Sequence, residues 1–117
     1  MTASSKSLPH AAVRLRVDGA ERRGEGDGDG MVDACYKVIA QITGISPKLE
    51  RYAVKAITGG TDALGEVSCL INHDGVSATG QGAHTDIIQA SALAYVNALN
   101  KLRHRQSRYR EVPDQGP

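Results

Sequence analysis

Displaced by 56 positions (74 − 18 = 56), the sequence falls on itself: Asp18-Gly19 lands on Asp74-Gly75, Gly24 and Gly26 on Gly80 and Gly82, and Ala34 on Ala90. Conservative matches run between them, with Leu15 on Ile71, Asp29 on Thr85, Val32 on Ile88 and Cys35 on Ser91. A repeat of this period restricts the chain to two copies of one supersecondary unit. The unit can be read from its parts. Val13 to Val17 alternates apolar and polar residues, the period of a half-buried strand. Asp18-Gly19 is a hairpin signal, and Ala20 to Glu25 returns as the partner strand. Val67, Cys69 and Ile71 repeat the alternation, Asp74-Gly75 turns the chain, and Val76 to Gly80 returns.

Each second strand leads into Gly-x-Gly and then a residue suited to cap a helix, Asp29 in the first unit and Thr85 in the second. The first helix carries Val32, Cys35, Tyr36, Ile39 and Ile42 on one face, and the second Ile88, Ala92, Tyr95, Leu99 and Leu102, both at amphipathic spacing. Gly44, with Pro47 beyond it, stops the first helix; the second is expected to fray after Leu102. Tyr52, Val54 and Ala56 alternate against Arg51, Ala53 and Lys55, which adds a strand over Leu49 to Thr58, linked onward by Gly59-Gly60-Thr61-Asp62. The fold class is therefore α+β: two βββα units related by a pseudo-twofold, with antiparallel sheets and two helices. The same offset puts the first strand of unit one before Met1. The chain is thus expected to be a piece of something longer, or a domain whose sheet edge a partner completes. The expected domain covers 1–102, with unit one at about 1–44, unit two at about 48–102, and a polar, disordered tail over 103–117. Its glycine turns, Gly24 to Gly30 and Gly80 to Thr85, are expected to come close together.

Composition excludes several functions. Aromatic residues are 3% of the chain, with no Trp and no Phe, so the stacking platforms of single-strand nucleic-acid binding are missing. A net charge of +1 is too small for electrostatic capture of nucleic acid or an anionic membrane. No stretch approaches the ~20 apolar residues of a membrane helix, and the N-terminal residues lack a signal peptide's apolar core. Cys35 and Cys69 lie in apolar patterns rather than a CxxC pair, so they read as buried thiols of a cytoplasmic protein. No HExxH, GxSxG or P-loop occurs, and His10, His73, His84 and His104 have no metal-ligand spacing. No catalytic residue, metal or cofactor is expected. His84 beside Asp86 reads as a polar turn residue rather than an acid–base pair.

Gly24-Glu25-Gly26-Asp27-Gly28-Asp29-Gly30 demands an account of its own. It lacks the ligand order and closing Glu of a calcium loop. Its glycines follow an antiparallel hairpin, not the parallel strand of a dinucleotide fold. Glycine permits positive φ in a tight turn, yet alternating glycines also clear side chains from a helix N-terminus. Exposed N–H groups there, with the helix dipole behind them, suit a carboxylate. Gly80-Gln81-Gly82-Ala83-His84-Thr85-Asp86 offers the same device.

Tyr52 to Val67, with its run Thr58-Gly59-Gly60-Thr61-Asp62-Ala63-Leu64-Gly65, closely resembles the C-terminal regulatory domain of 2-isopropylmalate synthase. So do Gly80 to Ser91 with Ala94-Tyr95 and Ala98-Leu99-Asn100, and the first-unit element Gly26 to Ala34. The resemblance covers roughly Ala11 to Leu102. It implies a homodimer, attachment to a catalytic barrel domain, and leucine bound between the units as feedback inhibitor of leucine biosynthesis. Carried over by position, the leucine site comprises Gly28, Asp29, Gly30, Val32 and Asp33 at the first turn, Leu49, Tyr52 and Ala56 on the linking strand, and Ala83, His84 and Thr85 at the second turn. Asp33 departs from the small apolar residue of some members, and Met31 replaces their usual proline. The leucine carboxylate suits a helix N-terminus, its ammonium Asp29 or backbone carbonyls, and its side chain a pocket lined by Val32, Leu49 and Ala56. The alternatives are an isoleucine-sensing domain of a citramalate synthase, whose second glycine motif differs, and a dimerisation domain that binds no ligand.

Overall fold

The two hairpin turns of the computed structural model have the same backbone. Asp18 and Gly19 sit at φ 52° and 82°, and Asp74 and Gly75 at 53° and 82°. Positive φ at both central residues matches the right-handed strand twist of a two-residue hairpin, which is why Asp-Gly recurs there. The structure describes residues 8–57 and 64–114; the Gly59 to Asp62 link and the chain's first residues lie outside them.

By contact the chain divides into two compact units, Met1–Ser46 and Pro47–Pro117. In the first, strands β1 (His10–Val17) and β2 (Ala20–Asp27) form an antiparallel two-stranded sheet, followed by helix α1 (Met31–Thr43). In the second, β3 (Lys48–Ile57), β4 (Leu64–His73) and β5 (Val76–His84) form an antiparallel sheet in that order, followed by helix α2 (Ile87–Asp114). This is the expected α+β content: two strands and a helix, then three strands and a helix.

The first core lies between α1 and the β1–β2 face bearing Ala11 and Val13. Ala34, Cys35, Tyr36, Val38, Ile39 and Ile42 are buried on the helix. Four of the five residues assigned to its apolar face are among them; Val32 is half-buried. The helix stops at Gly44, whose φ of 77° only glycine adopts without strain and whose N–H bonds the Ala40 carbonyl at 2.8 Å. The second core joins Val67, Cys69 and Ile71 of β4 to Ala90, Ala94, Tyr95, Ala98, Leu99 and Leu102 of α2. Fully burying a side chain such as Ile71 or Leu102 stabilises by about 1.5–3 kcal/mol. Both cysteines are buried, and neither is in a disulfide among the described residues.

Three local expectations need correction. The glycine-rich runs are mostly strand: Gly24 and Gly26 lie in β2, and Gly80 and Gly82 in β5. The positive-φ glycines among the described residues are Gly19, Gly44 and Gly75, so turn geometry does not explain the run. Close packing does. A Cβ on Gly24 would meet Val38 Cγ1 at 3.0 Å, and one on Gly82 would meet the Ala90 carbonyl oxygen at 2.6 Å. At Gly80 the obstruction is the backbone of Ala94 and Ala98. Helix α2 lies so near β5 that its backbone occupies the space of a side chain, whereas on β2 the glycines make room for the Val38 and Ile42 side chains of α1. Second, both helix caps fall one residue later than expected, at Gly30 and Asp86 instead of Asp29 and Thr85. Third, α2 does not fray after Leu102. It continues to Asp114, and Arg105 donates to the Ser77 carbonyl while Gln106 Nε2 lies 3.3 Å from His73 Nδ1, tying the helix to the end of the β4–β5 hairpin.

Candidate functional site

At the first glycine run the chain leaves β2 at Asp27 and enters α1 at Met31, with Gly28, Asp29 and Gly30 between. Gly28 N–H bonds the Pro9 carbonyl at 3.1 Å. Gly28 is pressed against the helix, since a Cβ there would stand 2.5 Å from Ala34 N and 2.6 Å from Asp33 Oδ2. Gly30 differs: its φ is −145°, among the described residues beyond its chain neighbours nothing lies within 4 Å of where a Cβ would be, and no side chain caps the helix from it. The first N–H groups of a helix have no intrahelical partner, so the start of α1 presents donors backed by the helix dipole.

Asp33 is engaged. Its Oδ2 accepts the Asp29 N–H at 2.8 Å and lies 3.2 Å from Lys37 Nζ. The Asp29 bond first, then Lys37, holds its carboxyl below the ordinary value of 3.8. A residue that sequence marks as a departure from some members thus fixes the turn, reaching back from the first helical turn to the backbone before it. Asp29 and Met31 are exposed, and Val32 is half-buried.

In the second unit Leu49, Tyr52 and Ala56 stand opposite Ile71, Cys69 and Gly65. Ile71 and Cys69 are core residues beneath α2, so all three site residues share the helix-side face. Leu49 and Tyr52 belong to opposite phases of a regular strand. A register shift between Leu49 and Arg51 restores them to one face. With Val54 they leave an apolar strip on β3 exposed, at 39% for Leu49, 37% for Tyr52 and 50% for Val54. The Tyr52 hydroxyl lies 2.6 Å from Ser91 Oγ on α2.

His84 pairs with Gly65 on that same face, while Ala83 pairs with Glu66 and is directed to the other side. Thr85 is exposed in the link to α2. The anion device expected at this second run is occupied: Asp86 Oδ1 accepts the Ile88 N–H at 2.9 Å, and His84 Nδ1 accepts the Asp86 N–H at 2.9 Å. A carboxylate arriving there meets the carboxylate of Asp86. Within the second unit the geometry therefore gathers Leu49, Tyr52, Ala56 and His84 on one face, and sets Ala83 apart.

Sequence reasoning missed Ser91 and Asp86. Both left a signal. Ser91 is a polar residue three positions from Ile88 on the apolar helix face, and Asp86 is a good N-cap type beside the chosen Thr85. Among the described residues no group of three or more His, Cys, Asp and Glu is placed to hold a metal ion, and no helix is long and apolar enough to cross a membrane.

Two hairpin-and-helix repeats, one with a helix start that lacks a side-chain cap and the other with an exposed apolar strand face, define a small α+β module. Residues 1–103 match the family model described as the LeuA allosteric (dimerisation) domain, and the chain belongs to that family. It is 53% identical over 98 residues to a 2-isopropylmalate synthase of Nitratidesulfovibrio vulgaris, covering 84% of this chain and 19% of that protein. Over 103 residues it is 48% identical to the 2-isopropylmalate synthase of Carboxydothermus hydrogenoformans, 87% of this chain and 20% of that one. The corresponding figures for Aromatoleum aromaticum are 50% over 100 residues, 86% and 20%. The chain thus spans about a fifth of the length of the curated relatives it matches.

Proposed function

We propose that this domain senses leucine and regulates a 2-isopropylmalate synthase to which it is attached, and that it works as a homodimer. The observation that carries the ligand reading is the contrast between the two helix starts. Asp86 caps α2, whereas the start of α1 has no side-chain cap and, among the described residues beyond Gly30's chain neighbours, no atom within 4 Å of the position a Gly30 side chain would take. An amino-acid carboxylate there would take the place of the missing cap. Exposed Asp29, next to that helix start, suits the ammonium. The family's description as allosteric supports a site for an effector, and the relatives' names supply the enzyme it would regulate.

Gly30→Ser tests this reading. The extended backbone at Gly30, φ −145° and ψ 174°, is that of a serine N-cap. The new hydroxyl should stabilise the protein by a few tenths of a kcal/mol while occupying the donors meant for the carboxylate. Calorimetric titration with leucine, isoleucine and valine should show leucine binding the parent best and binding Gly30→Ser more weakly. Undiminished leucine binding by the more stable variant would place the carboxylate elsewhere.

A further inference from the structure

Among the described residues Ser91 is the polar one buried in the core, with none of its surface exposed. A hydroxyl removed from water without a partner costs free energy, so its bonding is a structural requirement. The Tyr52 hydroxyl meets it at 2.6 Å, and either oxygen can donate. The two residues lie on elements that do not otherwise approach: α2 lies over β4 and β5, and β3 is paired to the sheet through β4 alone. The phenol therefore bridges the interval between the edge strand and the helix. One end of Tyr52 is anchored in the core while its ring borders the exposed apolar strip of Leu49 and Val54.

We infer that Ser91 is a positioning residue: by holding the Tyr52 hydroxyl it fixes the ring across the β3 strip and so sets the shape of the surface an aliphatic effector meets. The effect on ligand affinity rests on the leucine reading above; the effect on ring order does not. The repeat supplies a suitable variant. Ser91 falls on Cys35 (35 + 56 = 91), and Cys35 is itself buried on α1, so Ser91→Cys keeps a residue that this helix position already accepts. A thiol is a weak hydrogen-bond partner of nearly the same shape.

The test uses the whole chain with labelled tyrosine, the Tyr52 signals being assigned by their loss in Tyr52→Phe. Side-chain couplings should report one χ1 rotamer for Tyr52 in the parent and averaging in Ser91→Cys. Leucine titration should then show affinity falling about two- to tenfold in Ser91→Cys and equally in Tyr52→Phe, the worth of one neutral hydrogen bond. The double variant should fall no further, because both changes remove the same bond. An unaveraged Tyr52 in Ser91→Cys overturns the inference, as do single effects that add. If the parent binds no leucine, the effector reading fails, and the rotamer measurement alone decides the role of Ser91.

Discussion

Glycine carries three different meanings in this chain, and substitution separates them. At Gly19, Gly44 and Gly75 it supplies positive φ. At Gly80 and Gly82 it makes room for a helix backbone. At Gly30 it leaves a helix start open. Gly82→Ala should therefore destabilise by about 1–3 kcal/mol, the usual cost of overpacking, because Ala90 O, Leu93 Cβ and Ala94 N stand within 2.7 Å of the added carbon. Urea unfolding measures it, and a change under 0.5 kcal/mol would show that α2 retreats freely. Sequence exposed the glycines but not these meanings. Spacing reports that side chains are absent, whereas the reason is the distance of a helix backbone contributed by residues eight or more positions away. The cap residues were misplaced for a related cause: Asp29, Gly30, Thr85 and Asp86 are all acceptable N-caps by type, and only packing selects the second of each pair.

At the scale of elements, the alternating patterns of β1 and β4 and both Asp-Gly hairpins were legible because period and turn chemistry are local. The bulge that brings Leu49 beside Tyr52 was not, since it shows only against the partner strand. The solvent face of the β1–β2 hairpin carries a clasp of its own. His10 Nδ1 lies 2.6 Å from Asp27 Oδ1 and Nε2 2.9 Å from Glu25 Oε1, so both nitrogens must be protonated to make both bonds. Asp27 first and Glu25 next raise the His10 pKa above 6.5. A raised folded pKa means the contribution is fully present below the unfolded value near 6.5 and is lost as pH rises through the folded one. Parent stability should accordingly decline on going from pH 6 to pH 8.5 by more than that of His10→Ala, as read by thermal unfolding. Asp33 runs the opposite way. Its folded pKa lies below 3.8, so its contribution is present above that value and disappears as pH falls through the folded one. In a second series between pH 5 and pH 2, Asp33→Asn should lose less stability than the parent, and parallel curves would mean that the Asp29 and Lys37 contacts contribute nothing.

For the whole molecule, the repeat foretold the strand and helix count of each unit, and the family followed from the motifs that the repeat organises. Assembly is a property that a single chain shows only by what it leaves uncovered. Among the described residues β3 is the edge strand of its sheet, and its helix-side face exposes Leu49, Tyr52 and Val54. Contiguous apolar surface with an unpaired strand edge is the usual mark of an interface, and the family is described as a dimerisation domain. Val54→Lys addresses this without disturbing either core, because Val54 is half exposed. The parent should sediment as a dimer at tens of micromolar. The variant should keep its circular dichroism and shift toward monomer, since a lysine there places an unpaired ammonium against apolar surface. A parent that is monomeric at that concentration would remove the dimer from the proposal. A variant that remains as dimeric as the parent would move the interface away from β3 and leave that strip to the effector alone.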